Sequence, residues 1–302
     1  MTTAHPLLQL ANGSFELTLC PSLGGAIAAF RWRRAGRADL DLLRPMDDAA
    51  LAAGDVGASS CFPLTPFSNR VRAGRFVFRT GAVTMPLNVP GEPHVEHGHG
   101  WQRPWAVVDK AADGATLLYT HAADDWPYPY EMRQAFRLLP DRLEIGLSAR
   151  NTGVTAMPYG FGLHPYFPRT PQTTLSARIS GMWETDDEAM PTRLLPGTRA
   201  PNLAAGLAVD RHALDNCFTG WNGRAEIRWP ECSAALSMAA TPPLVFLVVY
   251  SPPGTGYFCA EPVSNVTDAF NLAETGRTDT GMLVLEAGAI AQASLALTPY
   301  SI

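Results

Sequence analysis

The strongest constraint on this chain is a short alternation of apolar and polar residues that recurs from end to end. "FELTLC" (15–20), "AIAAFRW" (26–32), "RFVFR" (75–79), "ATLLYTH" (115–121), "RQAFRLL" (133–139), "RLEIGLSAR" (142–150), "TLSARIS" (174–180), "AEIRWP" (225–230), "AALSMAA" (234–240), "LVFLVVY" (244–250) and "ASLALTPY" (293–300) all predict strands. Between them lie turn-forming clusters such as "PSLGG", "NVPGEP", "LPGTRAPN" and "SPPGTG", where glycine supplies permissive backbone angles and proline fixes them. With 26 glycines and 26 prolines, few long helices are possible. Only 46–54, and a second piece over 200–208, have a helical composition.

Strands spread evenly over 302 residues, with no low-complexity linker and no repeat of fixed period, predict one all-β domain over 1–302, a large β-sandwich with few short helices. No apolar run is long enough to cross a bilayer as a helix, so a membrane partner is not expected. A net charge of −5 gives no basic stripe for nucleic acid. The start "MTTAHPLLQLANGSFELTLC" has neither the cationic nor the sustained apolar segment of a secretory signal, and the expected location is the cytoplasm. Five scattered cysteines without a C-x-x-C pair are expected to be reduced and mostly buried.

Chemistry is expected where a titratable group interrupts an aromatic or glycine-rich setting: "FSNRVRAGRF" (67–76), "HVEHGHGWQRPW" (94–105), "GFGLHPYF" (160–167) and "YFCAEPVSN" (257–265). On an extended strand His97 and His99 would point to one side, as in a cupin-type metal site. The carboxylate such a site needs is missing, and Arg103 would oppose a cation, so no metal is expected. His94 reads as an ordinary loop or surface residue. His164 is either a satisfied structural histidine or a group in a sugar cleft walled by Tyr159, Phe161, Tyr166 and Phe167. Glu261 either meets water at a strand end or lies buried with a raised pKa, the setting of a poised acid or base. Asp215 is either a turn residue or a ligand for sugar hydroxyls.

Taken together and in order, "NRVRAGRF", "HGHGWQRPW", "LHPYF", "LDNCFTGW" and "FCAEP" resemble the aldose 1-epimerase (mutarotase) family, especially its broad bacterial branch. The resemblance implies a galactose mutarotase-like β-supersandwich that interconverts the α and β anomers of a free aldose without a cofactor. It implies Glu261 as the base on the anomeric hydroxyl and His164 as the acid on the ring oxygen. His97, Arg70, Asn69, Asp215 and Tyr166 would bind the sugar. Galactose-type members tend to carry glycine where His99 stands and a different pair after the glutamate than Pro262 and Val263. Both changes are expected near the sugar, which puts galactose itself in doubt.

Arg72, Arg75, Arg103 and Arg169 raise a second possibility, a hexose-6-phosphate 1-epimerase of the same fold. A non-catalytic carbohydrate-binding protein is a third. A glycoside hydrolase would need two carboxylates, with Asp215 the evident partner for Glu261. Nothing in the sequence specifies more than a monomer or a homodimer.

Overall fold

The computed structural model describes residues 5–302, and the two large sheets that dominate it are antiparallel throughout. Eleven strands form one sheet and nine the other. In the nine-stranded sheet, Tyr130–Leu138, Leu143–Asn151 and Ile290–Ser301 are adjacent, and along Tyr130–Leu138 every second residue is buried. That period of two is the pattern of a sheet with one wet face. The eleven predicted strand segments all fall on observed strands.

The main core lies between the two sheets. Ile145, Leu147 and Leu295 enter it from the smaller sheet, and Leu163, Phe167, Leu247 and Phe258 from the larger one. Burying such side chains contributes about 1.5–3 kcal/mol each, an upper bound because unfolded chains are partly compact. The larger sheet also buries its second face. Phe62, Tyr166, Cys217, Val248 and Cys259, on the opposite parity of the same strands, form a separate apolar cluster with Leu23, Val56 and Trp101 from the loops. This covered second face is where a site can be built.

The helix expected at 46–54 is present as Asp48–Ala53. Asp47 caps it by accepting from the Ala50 N–H, and Gly54 ends it at φ 68°. The helix expected at 200–208 is absent: a 3₁₀ turn at Leu203–Ala205 leads into the strand Leu207–Ala208. Pro201 and Gly206, the latter at φ 88°, break the run on either side. A six-residue helix, Ala269–Glu274, lies where none is predicted. All five cysteines are free thiols and only Cys232 is not buried.

Candidate active site

Strand register makes the central pair. Gly162 pairs with Val263 and Tyr166 with Cys259, so His164 stands opposite Glu261 across two neighbouring strands, with their side chains on the second face of the sheet. His164 Nε2 lies 3.3 Å from Glu261 Oε1. Glu261 is 2% exposed and His164 6%, which excludes a wet strand end for the glutamate. Burial pushes the Glu261 carboxyl well above the usual range, helped by Asp215 and opposed by Arg70. Burial likewise drives the His164 imidazole down to about 3. Each group resists its charged form, and the pair holds one proton between them. Glu261 Oε2 and His164 Nδ1 are buried without a hydrogen-bond partner, although such atoms normally find one.

Two aromatic rings fix the imidazole plane. Phe62 stacks on His164 at 4.6 Å and Tyr166 at 4.7 Å between ring centres, and the two rings lie 6.1 Å from each other. Trp101 extends the wall by stacking on Phe62 at 5.1 Å. Behind Tyr166 the Arg44 guanidinium lies 3.9 Å from the ring centre and donates to the carbonyls of Gly57 and Ser59.

The loop carrying His97 is held in a conformation few residues adopt. Asn69, His97 and Gly98 have φ of 60°, 59° and 67°. The Asn69 N–H donates to His97 Nδ1 at 3.1 Å, and burial keeps the His97 imidazole uncharged, with its pKa well below the ordinary value. The proton therefore sits on Nε2, the nitrogen at 3.9 Å from Glu96 Oε2. His97 is thus a fixed donor. Gly98 has no room for a side chain: a Cβ there would fall 2.3 Å from the Thr65 carbonyl oxygen and 2.4 Å from Pro66 Cδ. We expect Gly98→Ala to cost about 2–4 kcal/mol from left-handed strain plus overpacking. Urea unfolding measures it, and a loss below about 1 kcal/mol would contradict the tight loop.

Arg70 is the hub of the polar wall. Its Nε lies 2.9 Å from Glu96 Oε1, its strand partner, and its Nη1 lies 3.4 Å from both Asp215 Oδ2 and Asn69 Oδ1. Burial raises the carboxyls of Glu96 and Asp215, with Arg70 opposing in each case. These walls enclose a cavity of about 320 Å³, large enough for a monosaccharide.

Glu261, His164, Arg70, His97, Asp215, Asn69 and Tyr166 all line this one cavity. The sequence reading missed Phe62, Trp101, Glu92, Glu96 and Tyr250, which line it too. Other expectations are corrected. Tyr159, Phe161 and Phe167 belong to the core between the sheets: Phe167 lies on the other side of its strand from His164 and Tyr166, and Tyr159 is on a separate short strand, Met157–Tyr159. His94 is buried at 3% and accepts from the Ala73 N–H, so it is structural. His97 and His99 do not share a side, since the left-handed turn at His97 and Gly98 replaces an extended strand. His99 meets Tyr130 and His121 and lines a separate cavity, while Pro262 and Val263 are buried away from the cleft. Neither departure from the galactose-type pattern touches this cavity.

The four arginines weighed for phosphate also lie outside it. Arg72 lies near Asp268, Arg169 near Asp210, Arg103 lines the separate cavity and Arg75 is exposed. Among the described residues, His164, Cys259 and Glu261 bring potential metal-ligand atoms within 4.8 Å of one another. Burial holds the Cys259 thiol well above its ordinary pKa, a poor state for a thiolate ligand.

Known proteins share this arrangement of sheets. A curated Escherichia coli K12 relative, the uncharacterized protein YphB, is 36% identical over 280 residues, covering 89% of this chain and 92% of its own. The crystal structure of a candidate aldose 1-epimerase from the same organism superposes with a TM-score of 0.88 at 30% identity, covering 98% of this chain and 99% of that one. A galactose mutarotase-like protein from Clostridium acetobutylicum has the same fold, with a TM-score of 0.88 at 18% identity over 99% and 96% of the two chains. The expected galactose mutarotase-like sandwich is therefore the fold of this protein. The model of the aldose 1-epimerase family matches residues 6–298, nearly the whole sequence that builds the two sheets and the cleft, and this chain belongs to that family.

Proposed function

We propose that this protein is an aldose 1-epimerase, which opens and recloses the ring of a free aldose with Glu261 and His164 as its proton-transfer pair. The observation that carries this reading is the pair itself: 3.3 Å apart, buried, with Glu261 Oε2 and His164 Nδ1 unpartnered at a sugar-sized cavity.

Ring opening requires a proton to leave the anomeric hydroxyl and another to reach the ring oxygen. In the charged tautomer, Glu261 takes the first and His164 supplies the second. The O5–C1 bond breaks, C1 becomes the aldehyde, and the pair is left as a neutral acid and a neutral imidazole. Rotation about C1–C2 presents the other carbonyl face, and reclosure returns both protons. Both tautomers carry the same net charge, so a water-poor cleft holds either without importing an ion. Burial favours the uncharged tautomer, so forming the charged one costs free energy that the opening step recovers. The His97 Nε2–H supports the oxygen that gains charge. Arg70, Asn69 and Asp215 hold hydroxyls, and the rings of Phe62, Tyr166 and Trp101 offer faces to the C–H side of the sugar.

Polarimetry on freshly dissolved α-anomers tests this. Faster approach to the α/β equilibrium is expected, with no release of sugar from an oligosaccharide. Glycosidic cleavage would instead favour a hydrolase, and binding without acceleration a non-catalytic module. Asp215→Ala is expected to raise KM about ten- to hundredfold, the scale of a lost hydrogen bond to a charged group, and to change kcat less. An unchanged KM with a collapsed kcat would remove Asp215 from substrate binding.

A further inference from the structure

The cleft is strongly unbalanced in charge. Its lining contains three carboxylates, Glu92, Glu96 and Asp215, beside the Glu261 carboxyl whose charged form burial disfavours, and a single guanidinium, Arg70. Arg70 is already engaged by Glu96 and Asp215. Arg44 faces two aromatic rings and two carbonyls instead of the cavity. No cation among the side chains that line the cavity is left over for a phosphate or a carboxylate on the substrate.

Glu92 differs from the other three. It has no ion-pair partner among the described residues and is half-buried in the turn after Val89, whose carbonyl accepts from the Glu92 N–H. The turn is anchored next to the buried His94. Its negative charge acts on Glu96 and on Asp215, so it stands within electrostatic reach of the polar wall. That these acids face a ligand site follows from a separate feature, the unpartnered and buried Glu261 Oε2 in the same cavity.

We propose that the cleft selects aldoses by charge, with Glu92 as the residue that disfavours substrates carrying a phosphate or carboxylate and favours those carrying an ammonium group. This rests on the epimerase reading of the same site and adds a rule to it. A substrate anion would meet uncompensated like charge in a partly desolvated cleft, whereas an ammonium would give Glu92 the partner it lacks.

Anomer exchange by NMR tests the rule with a neutral hexose, its 6-phosphate, its 2-amino analogue at a pH where the amine is protonated, and the N-acetyl form as a neutral control of greater bulk. Wild type is expected to show kcat/KM for the phosphate at least about tenfold below the neutral hexose, and for the amino sugar above the N-acetyl form. Glu92→Lys should raise the phosphate-to-neutral ratio about tenfold and lower the amino-to-neutral ratio, with Glu92→Gln in between. Equal use of phosphate and neutral sugar by wild type, or unchanged ratios in Glu92→Lys, would overturn the proposal. If wild type accelerates no aldose, the epimerase reading fails by itself. Dissociation constants for the same series from calorimetry then decide the charge rule separately: an order that reverses in Glu92→Lys supports it, and no order overturns it.

Discussion

Glu261→Gln is expected to lose about 10²–10⁴-fold in the rate of anomer interconversion, the range one positioned proton transfer supplies. Glutamine keeps the shape and a hydrogen-bonding oxygen but cannot take the proton from the anomeric hydroxyl. The expected fold of the variant follows from the same burial that tunes the wild type. The Glu261 carboxyl titrates well above the ordinary value in the folded state, so the native protein binds more protons than the unfolded chain as the pH rises past about 4.5. Wild-type stability relative to the variant therefore falls over that rise, and Glu261→Gln should be at least as stable near neutral pH. Thermal unfolding from pH 4 to 8 together with the rate checks both. A variant that is inactive only because it is unfolded, or folded and fully active, contradicts the role.

His164→Asn should cost a similar factor, about 10²–10⁴-fold, because asparagine cannot deliver a proton to the ring oxygen. Here the linkage has the opposite sign. The buried imidazole titrates near 3, below the value of about 6.5 in an unfolded chain, so the wild type holds its full stability above about 6.5 and loses it as the pH falls toward 3. Asparagine has no such dependence. The wild-type protein should lose stability relative to His164→Asn between pH 6.5 and 4, a crossover that simple loss of packing against Phe62 and Tyr166 would not produce. Parallel curves for the two proteins would show that the imidazole titrates alike in the folded and unfolded states, against the burial described here.

Much of this was legible in the sequence because the signals were local. Alternation marked the strands, and a titratable side chain in an apolar run marked His164 and Glu261. Their partnership was not local: it depends on the register that sets Gly162 against Val263 and Tyr166 against Cys259, which the chain itself does not display. Parity could have sorted the aromatics. In a strand, residues 161, 163 and 167 face away from 164 and 166, so Phe161 and Phe167 could not wall the same cleft as His164. Phe62 and Trp101, which do, come from distant segments. Glu96 was hidden among three histidines that drew the metal question, and the left-handed backbone at His97 carries no sequence mark beyond the glycine after it. The helix Ala269–Glu274, six residues long, is too short to show a helical period.

The most direct test of the central claim is the rate of anomer exchange at equilibrium, measured by NMR for one responsive aldose with wild type, Glu261→Gln, His164→Asn and the double variant. If the two side chains hand on protons as a unit, wild type accelerates exchange and the double variant is no slower than the slower single variant by more than about threefold, because either loss alone disables the pair. If the folded single variants match wild type, or if their losses multiply in the double variant, the two residues do not act as one proton-transfer pair.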